Sequence, residues 1–287
     1  MTARTCYLCA GQKFNTVPGK VRDRAEIGIL ECEQCGLVFL DSFAHITQDY
    51  YENSGMHAEG SDEEIANWLR ESAVDDERRC GQVREIATDR QILDFGAGAG
   101  GFAERMRGIA RRVDVVEPES RLAERFQQLG ITRYASVAGI PDDVQYDLIT
   151  LFHVPEHLPD PAETLKMLAR HLRPGGRIII EVPSANDALL KLYENKAFSE
   201  FTYWSCHLYL FTNATLQRLF DQCGLKTRAI KQIQRYGIAN HMHWMSRGRP
   251  GGHSQWSFLD SAELHSAYEK QLAALGLCDT IFAEVEA

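Results

Sequence analysis

The chain of 287 residues contains no apolar run near the ~20 residues that a membrane-spanning helix needs. It also lacks an apolar N-terminal core: Met1-Thr2-Ala3-Arg4-Thr5-Cys6 has none of the character of a secretion signal. The expectation is a cytoplasmic protein. Positive charge is in short supply, with 31 Lys and Arg against 40 Asp and Glu and a net charge of −9. A broad nucleic-acid surface needs clustered cations, so that class is disfavoured and only a local basic groove fits the balance. Hydrophobic residues make up 44%, an ordinary share, and the length suits one large domain with a small appendage.

Cysteine is unevenly spread. Cys6, Cys9, Cys32 and Cys35 form two C-x-x-C pairs, while Cys80, Cys206, Cys223 and Cys278 stand singly. Each C-x-x-C places two thiolates on one turn, and two such knuckles supply the four tetrahedral ligands of Zn²⁺. Residues 1–48 therefore read as a zinc ribbon, with Pro18-Gly19 and Ile27-Gly28-Ile29-Leu30 suited to hairpin strands. The segment is too small to build its own core, so metal is expected to stabilise it outright. Four cysteines leave no open coordination position, which makes the expected role structural. The single cysteines are expected to be small buried hydrophobes in a reducing compartment.

The centre of the chain is Ile92-Leu93-Asp94-Phe95-Gly96-Ala97-Gly98-Ala99-Gly100-Gly101-Phe102. An apolar run ends in an acid, breaks into glycines and starts a helix. The glycines permit a sharp turn and a ligand close to the backbone, and the helix N–H groups point at that ligand. Gly96, Gly98 and Gly101 also satisfy G-x-G-x-x-G, the dinucleotide fingerprint. Asp94 shifts the reading, because its carboxylate would repel a pyrophosphate and attract an ammonium. S-adenosylmethionine (SAM) carries an ammonium and no phosphate. SAM is therefore preferred to NAD, with a NAD-dependent oxidoreductase as the alternative.

Strands and helices then alternate. Strands are expected at Ile92–Phe95, Val113–Val116, Ile131–Tyr134, Tyr146–Phe152, Arg177–Val182, Leu225–Gln232 and near Ile238–Met245. Helices are expected from Gly101 and over 120–129, 162–172 and 213–223. This predicts an α/β fold with a doubly wound sheet, its ligand outside the carboxyl ends of the strands. Residues 49–91 form a helical lead, with Ile65, Trp68, Leu69 and Ala73 on one face, that caps the cofactor or packs on the sheet. Residues 92–245 form the main domain. Residues 246–287 form a C-terminal appendage, with a helix over 262–275 and a short strand over 280–285, read as a packing element or a homodimer contact.

The central block resembles the class I SAM-dependent methyltransferases. The landmarks are Leu93–Gly100, the acidic strand end at Glu117, Tyr146-Asp147-Leu148-Ile149 with Glu156-His157-Leu158, and Leu172-Arg173-Pro174-Gly175-Gly176. The resemblance covers about 60–245 and implies a Rossmann-like seven-stranded sheet. The N-terminal ribbon followed by Tyr50-Tyr51 resembles the subgroup associated with sugar and polysaccharide biosynthesis. Carried over, the resemblance implies that Asp94 holds the methionine ammonium. Gly96, Ala97, Gly98 and Gly100 would lie along the methionine portion, and Glu117 would accept the ribose hydroxyls. Phe152 and His153 would line the cofactor side. The family often places an acid after strand three, near adenine; Ala135-Ser136-Val137 departs from that, with Asp142 or Asp143 as substitutes.

Transfer of the SAM methyl is an in-line displacement, so alignment and a dry site are the main needs. A hydroxyl acceptor also requires removal of a proton, a task suited to histidine. His207, in an aromatic insert at about 184–210, is the preferred base, and His157 is the second candidate. Asn186, Tyr203 and Trp204 of the insert, with Asn240, His241 and Arg249, are candidate acceptor contacts. His153-Val154-Pro155-Glu156-His157 matches the H-x-x-E-H metal motif, but Pro155 interrupts the helix which that motif requires. The expected activity is O-methylation of a saccharide, sugar nucleotide or other small hydroxyl or phosphoryl acceptor. No [Asn/Asp]-Pro-Pro-aromatic motif follows strand four, which argues against methylation of base amines. Alternatives are a ribosomal RNA methyltransferase that uses the ribbon as an RNA module, and a catalytically idle SAM-binding scaffold.

Overall fold

The computed structural model describes residues 5–47, 50–51 and 62–287. Met1–Arg4 and the expected boundary at 48/49 lie outside the described residues. The ribbon contributes three antiparallel strands, β1 (Phe14–Thr16), β2 (Ile29–Cys32) and β3 (Val38–Leu40). The long helix α1 (Asp62–Ala87) leads into β4 (Gln91–Phe95). Then come α2 (Gly101–Met106), β5 (Arg112–Val116), α3 (Ala123–Gln128), β6 (Thr132–Tyr134), β7 (Tyr146–Phe152), α4 (Pro161–Arg170) and β8 (Leu172–Pro183). The short helices α5 (Ala188–Lys191) and α6 (Lys196–Ser199) precede β9 (Tyr209–Leu210). The chain ends with α7 (Asn213–Cys223), β10 (Lys226–Ile233), α8 (Ile238–Arg247), α9 (Gly252–Gln255), α10 (Ala262–Leu275) and β11 (Thr280–Glu286).

The main sheet has the order β10-β11-β8-β7-β4-β5-β6. Its strands β4 to β8 pair in parallel, and β11 runs antiparallel to both neighbours. Alternation along each strand sorts the apolar side chains to two faces. On one face Leu93, Ile149 and Ile180 pack with Leu165 of α4, Leu216 of α7 and Leu37 and Leu40 of the ribbon. On the other, Ile92, Val115 and Ile179 meet Val83 of α1, Phe102 of α2 and Phe126 of α3. Both faces being covered explains why the strands read as continuous apolar runs.

Three features depart from expectation. The strand expected near Ile238–Met245 is the helix α8, in which Ala239, Asn240, His243 and Trp244 are buried while Met242 and Met245 are exposed. That spacing follows a 3.6-residue period, not a period of two, and Gly248 closes the helix at φ +62°. The seventh strand is instead β11, from the segment expected to be an appendage. Both of its edges are paired inside the sheet, and Ile281, Ala283 and Val285 are buried, so it is a packing element of the main domain. The ribbon is not a separate unit either. Its sheet is completed by β9, which pairs with β3 in the order β1-β2-β3-β9.

Candidate active site

The glycine turn follows β4 as expected. Gly96 and Gly98 have φ of +77° and +52°, and a side chain at either would collide with neighbours. At Gly98 a Cβ would lie 2.4 Å from the Trp68 ring of α1; at Gly96 it would lie 2.5 Å from Val154. The helical lead thus caps the turn, and the turn after β7 is fastened over it.

Two buried carboxyls flank this loop. Asp94 accepts a hydrogen bond from the Thr150 hydroxyl at 2.8 Å. Burial pushes its pKa up to about 7, against the lowering effect of that bond. Glu117, at the end of β5, accepts from the Gly98 N–H at 2.7 Å and the Glu119 N–H at 3.0 Å. Burial pushes its pKa to about 7 as well, despite those two donors. A carboxylate has about four lone-pair sites, so Glu117 retains acceptor capacity for a diol. Asp142 and Asp143 are exposed. Once ionised, the two carboxylates that bound this loop would attract a ligand bearing a cation and hydroxyl donors and would repel a pyrophosphate.

The exit of β7 carries the second part of the site. His153 sits at φ +56°, a left-handed conformation uncommon outside glycine, and turns the chain from the strand. Its Nδ1 lies 3.3 Å from Glu156, and its Nε2 lies 3.3 Å from Glu181 and 3.2 Å from Arg235. Phe152 stacks edge-on against Phe102 beneath the Arg79 guanidinium. Four residues on, His157 meets His207 edge to face, with ring centroids 4.8 Å apart. The His157 Nδ1 is buried and has no partner among the described residues. Burial lowers the pKa of both rings, with His207 reaching about 3, so both are neutral imidazoles near neutral pH.

The matched family is described as a methyltransferase domain, and the match spans residues 66–230. The chain belongs to this methyltransferase family. It is 30% identical over 170 residues to a ubiquinone biosynthesis O-methyltransferase of Aeromonas salmonicida, covering 53% of this chain and 69% of that one. It is 31% identical over 100 residues to a probable S-adenosylmethionine-dependent methyltransferase of Mycolicibacterium smegmatis, covering 33% and 38%. For most such relatives the chain spans about half of their length or less. The fold matches a Haloferax volcanii methyltransferase solved in complex with the Trm112 methyltransferase activator. The TM-score is 0.54 at 14% identity, covering 78% of this chain and 95% of that one. The protein is thus an enzyme of the SAM-dependent methyltransferase type, which removes the oxidoreductase alternative. Among the described residues no helix is long and apolar enough to cross a membrane.

Several expected acceptor contacts lie elsewhere in this methyltransferase. Tyr203 is buried, and a Cβ at Gly19 of the ribbon would lie 2.9 Å from its ring, so it packs against the ribbon. His241 is buried on α8, with its Nδ1 2.7 Å from the Tyr268 hydroxyl and its Nε2 3.2 Å from Gln234; burial lowers its pKa to about 4. Asn240 is buried beside it against Gly252. Asn240 and His241 were expected near the sheet edge, and the helical path of α8 turns both inward. Arg249 is exposed on a turn, where its carbonyl caps His243 Nδ1 at 2.9 Å. Asn186 is half-buried in the turn after β8, and half-buried Trp204 lies beside His207 with centroids 5.7 Å apart.

Sequence reasoning missed an ion cluster next to His153. Glu181, fully buried on β8, accepts from Arg78 at 2.8 Å and from Arg79 at 2.6 Å. Burial alone would raise its pKa; His153, Arg79 and Arg78 hold it well below the usual carboxylate range. Arg235, just after β10, pairs with Asp75 of α1 and holds that carboxyl down at about 2 against burial. The visible signal was an acid inside the apolar run Ile178-Ile179-Ile180-Glu181-Val182, which requires a buried cation.

The cysteine knuckles converge as expected. Cys6 and Cys35 sulfurs are 3.5 Å apart, as are those of Cys9 and Cys32. All four lie within 4.8 Å of one another. Tetrahedral Zn–S bonds of about 2.3 Å imply sulfur separations near ~3.8 Å, so the set fits zinc. His157, Cys206 and His207 form a second convergent group, also within 4.8 Å of one another.

Proposed function

We propose that this enzyme methylates a hydroxyl group of a saccharide or sugar nucleotide, with His157 and His207 handling the acceptor proton. The observation that carries this is the histidine pair itself. His157 stands just after the turn that Val154 fastens over Gly96 and presents a buried, unpartnered Nδ1, and the His207 ring lies against it. A neutral imidazole with a bare nitrogen is a general base for a hydroxyl proton. Bound SAM supplies a methyl group on a sulfonium. Asp94 holds the ammonium of that cofactor, Gly96, Gly98 and Gly100 lie along its methionine portion, and Glu117 accepts its ribose hydroxyls. Val154, Trp68 and the ion cluster of Glu181 keep water from the transfer. The four ribbon cysteines hold a structural zinc ion.

Relatives named for ubiquinone biosynthesis favour a second acceptor class, a phenolic hydroxyl. The same base and the same alignment serve either acceptor. The test supplies methyl-labelled SAM to the protein with separated saccharide, nucleotide-sugar, phenolic and RNA fractions. Label in a saccharide or nucleotide-sugar fraction is expected. Label confined to phenols selects the second class, and label confined to RNA overturns both.

A further inference from the structure

His207 lies on a segment with little structure of its own. Residues 200–208 contain no helix or strand, and β9 that follows is two residues long. Its long-range backbone bonds run mainly to the ribbon. The Arg22 N–H donates to the Tyr203 carbonyl at 2.9 Å, and the Leu40 N–H donates to the Leu208 carbonyl at 3.0 Å. His45 donates to the Ser205 carbonyl at 2.7 Å. The Arg22 guanidinium lies over the rings of Trp204, at 4.4 Å, and Phe201, at 4.9 Å. At the centre is Asp23, in the loop between the two cysteine knuckles. One of its carboxylate oxygens accepts the Ser205 N–H at 3.0 Å, and the other accepts the Ser205 hydroxyl at 2.6 Å. Toward the other histidine, the Leu208 N–H donates to the Glu156 carbonyl at 2.7 Å, and the two rings meet with centroids 4.8 Å apart.

We propose that Asp23 is a positioning residue for His207: it grips Ser205 through two hydrogen bonds, so the cysteine-stapled ribbon sets where His207 stands relative to His157. The proposal rests on the reading of the two histidines as the acceptor-facing pair. Asp23 touches neither cofactor nor acceptor; it acts through Ser205, two residues before His207. Both contacts to Ser205 are charge-assisted, the stronger kind of hydrogen bond. The glycine loop, Asp94 and Glu117 belong to other elements, so loss of the grip leaves cofactor binding in place. The ribbon is thereby coupled to methyl transfer and not to SAM affinity.

The test compares the full-length protein with Asp23→Ala, Ser205→Ala and the double variant. Each is checked for metal content, SAM affinity by calorimetry, amide exchange over residues 204–209, and the His207 ring titration by NMR. Exchange over 204–209 should accelerate at least about tenfold in each variant, since that segment would open locally. The His207 ring should titrate closer to the ordinary range. Metal content should hold, SAM affinity should stay within about twofold, and the double variant should match the singles, as expected for one shared contact. Ser205→Ala leaves the ribbon sequence untouched, so it decides the matter if Asp23→Ala disturbs the knuckles. Unchanged exchange and titration with metal retained would overturn the proposal, as would additive effects of the two substitutions. Absence of transfer to every acceptor fraction would sink the acid–base reading alone, because exchange and titration need no acceptor.

Discussion

At the scale of single residues, Asp94 and Glu117 make opposite demands on the free and the loaded protein. Their pKa values of about 7 lie above those of unfolded carboxyls, near ~4. Between those values the unfolded chain ionises first and the native state holds more protons. Stability of the cofactor-free protein should therefore fall as pH rises from ~4 to ~7 and level off above. A cationic ligand needs the ionised form, so SAM affinity should climb through the same range and flatten above pH ~7. Calorimetry across that range checks the slope, and Asp94→Asn should reduce it; a flat wild-type profile would remove Asp94 from the site. Glu117→Ala should weaken SAM binding by about 1.5–3 kcal/mol, the worth of hydrogen bonds to a charged group; unchanged affinity would exclude the ribose role. Both acids were legible in the sequence because each ends an apolar strand. Glu181 was legible only as an anomaly, since its partners Arg78 and Arg79 lie about a hundred positions earlier on α1.

At the scale of elements, α1 and the glycine turn act together. The Trp68 ring occupies the place a Gly98 side chain would take. Gly98→Ala should lower stability by about 1–3 kcal/mol through overpacking and a strained positive φ. Adding Trp68→Ala should recover the packing part of that loss, giving clear non-additivity in thermal unfolding. Strict additivity would mean that α1 does not cap the turn. The boundaries of α7 and α10 were legible, because Gly224 and Gly276 stop them at φ +72° and +71° and Thr212 and Ser261 cap them. The helix α8 was misread because His241-Met242-His243-Trp244 alternates in polarity at its centre. A short segment of mixed character does not distinguish the two periods.

At the scale of the whole molecule, the sheet is closed by the end of the chain. A version ending at residue 245 would lack β11 and leave β8 and β10 with unpaired inner edges. It should show no cooperative thermal transition; a folded, SAM-binding truncation would contradict this topology. The parallel, doubly wound character of β4 to β8 was legible because strands and helices alternate along that stretch. The return of β11 between β8 and β10, and the pairing of β9 with the ribbon, are long-range choices that no local pattern encodes. Metal analysis should find one zinc per chain, held by Cys6, Cys9, Cys32 and Cys35; a second ion would assign His157, Cys206 and His207 to a metal centre and not to proton transfer.

That proton transfer is most directly tested by following methyl transfer in the wild type, His157→Ala and His207→Ala, with SAM affinity measured in parallel. Transfer to a hydroxyl acceptor should fall by about 10²–10⁴ when the base is lost, with SAM affinity nearly unchanged. Full transfer in both variants would contradict a histidine-assisted O-methylation.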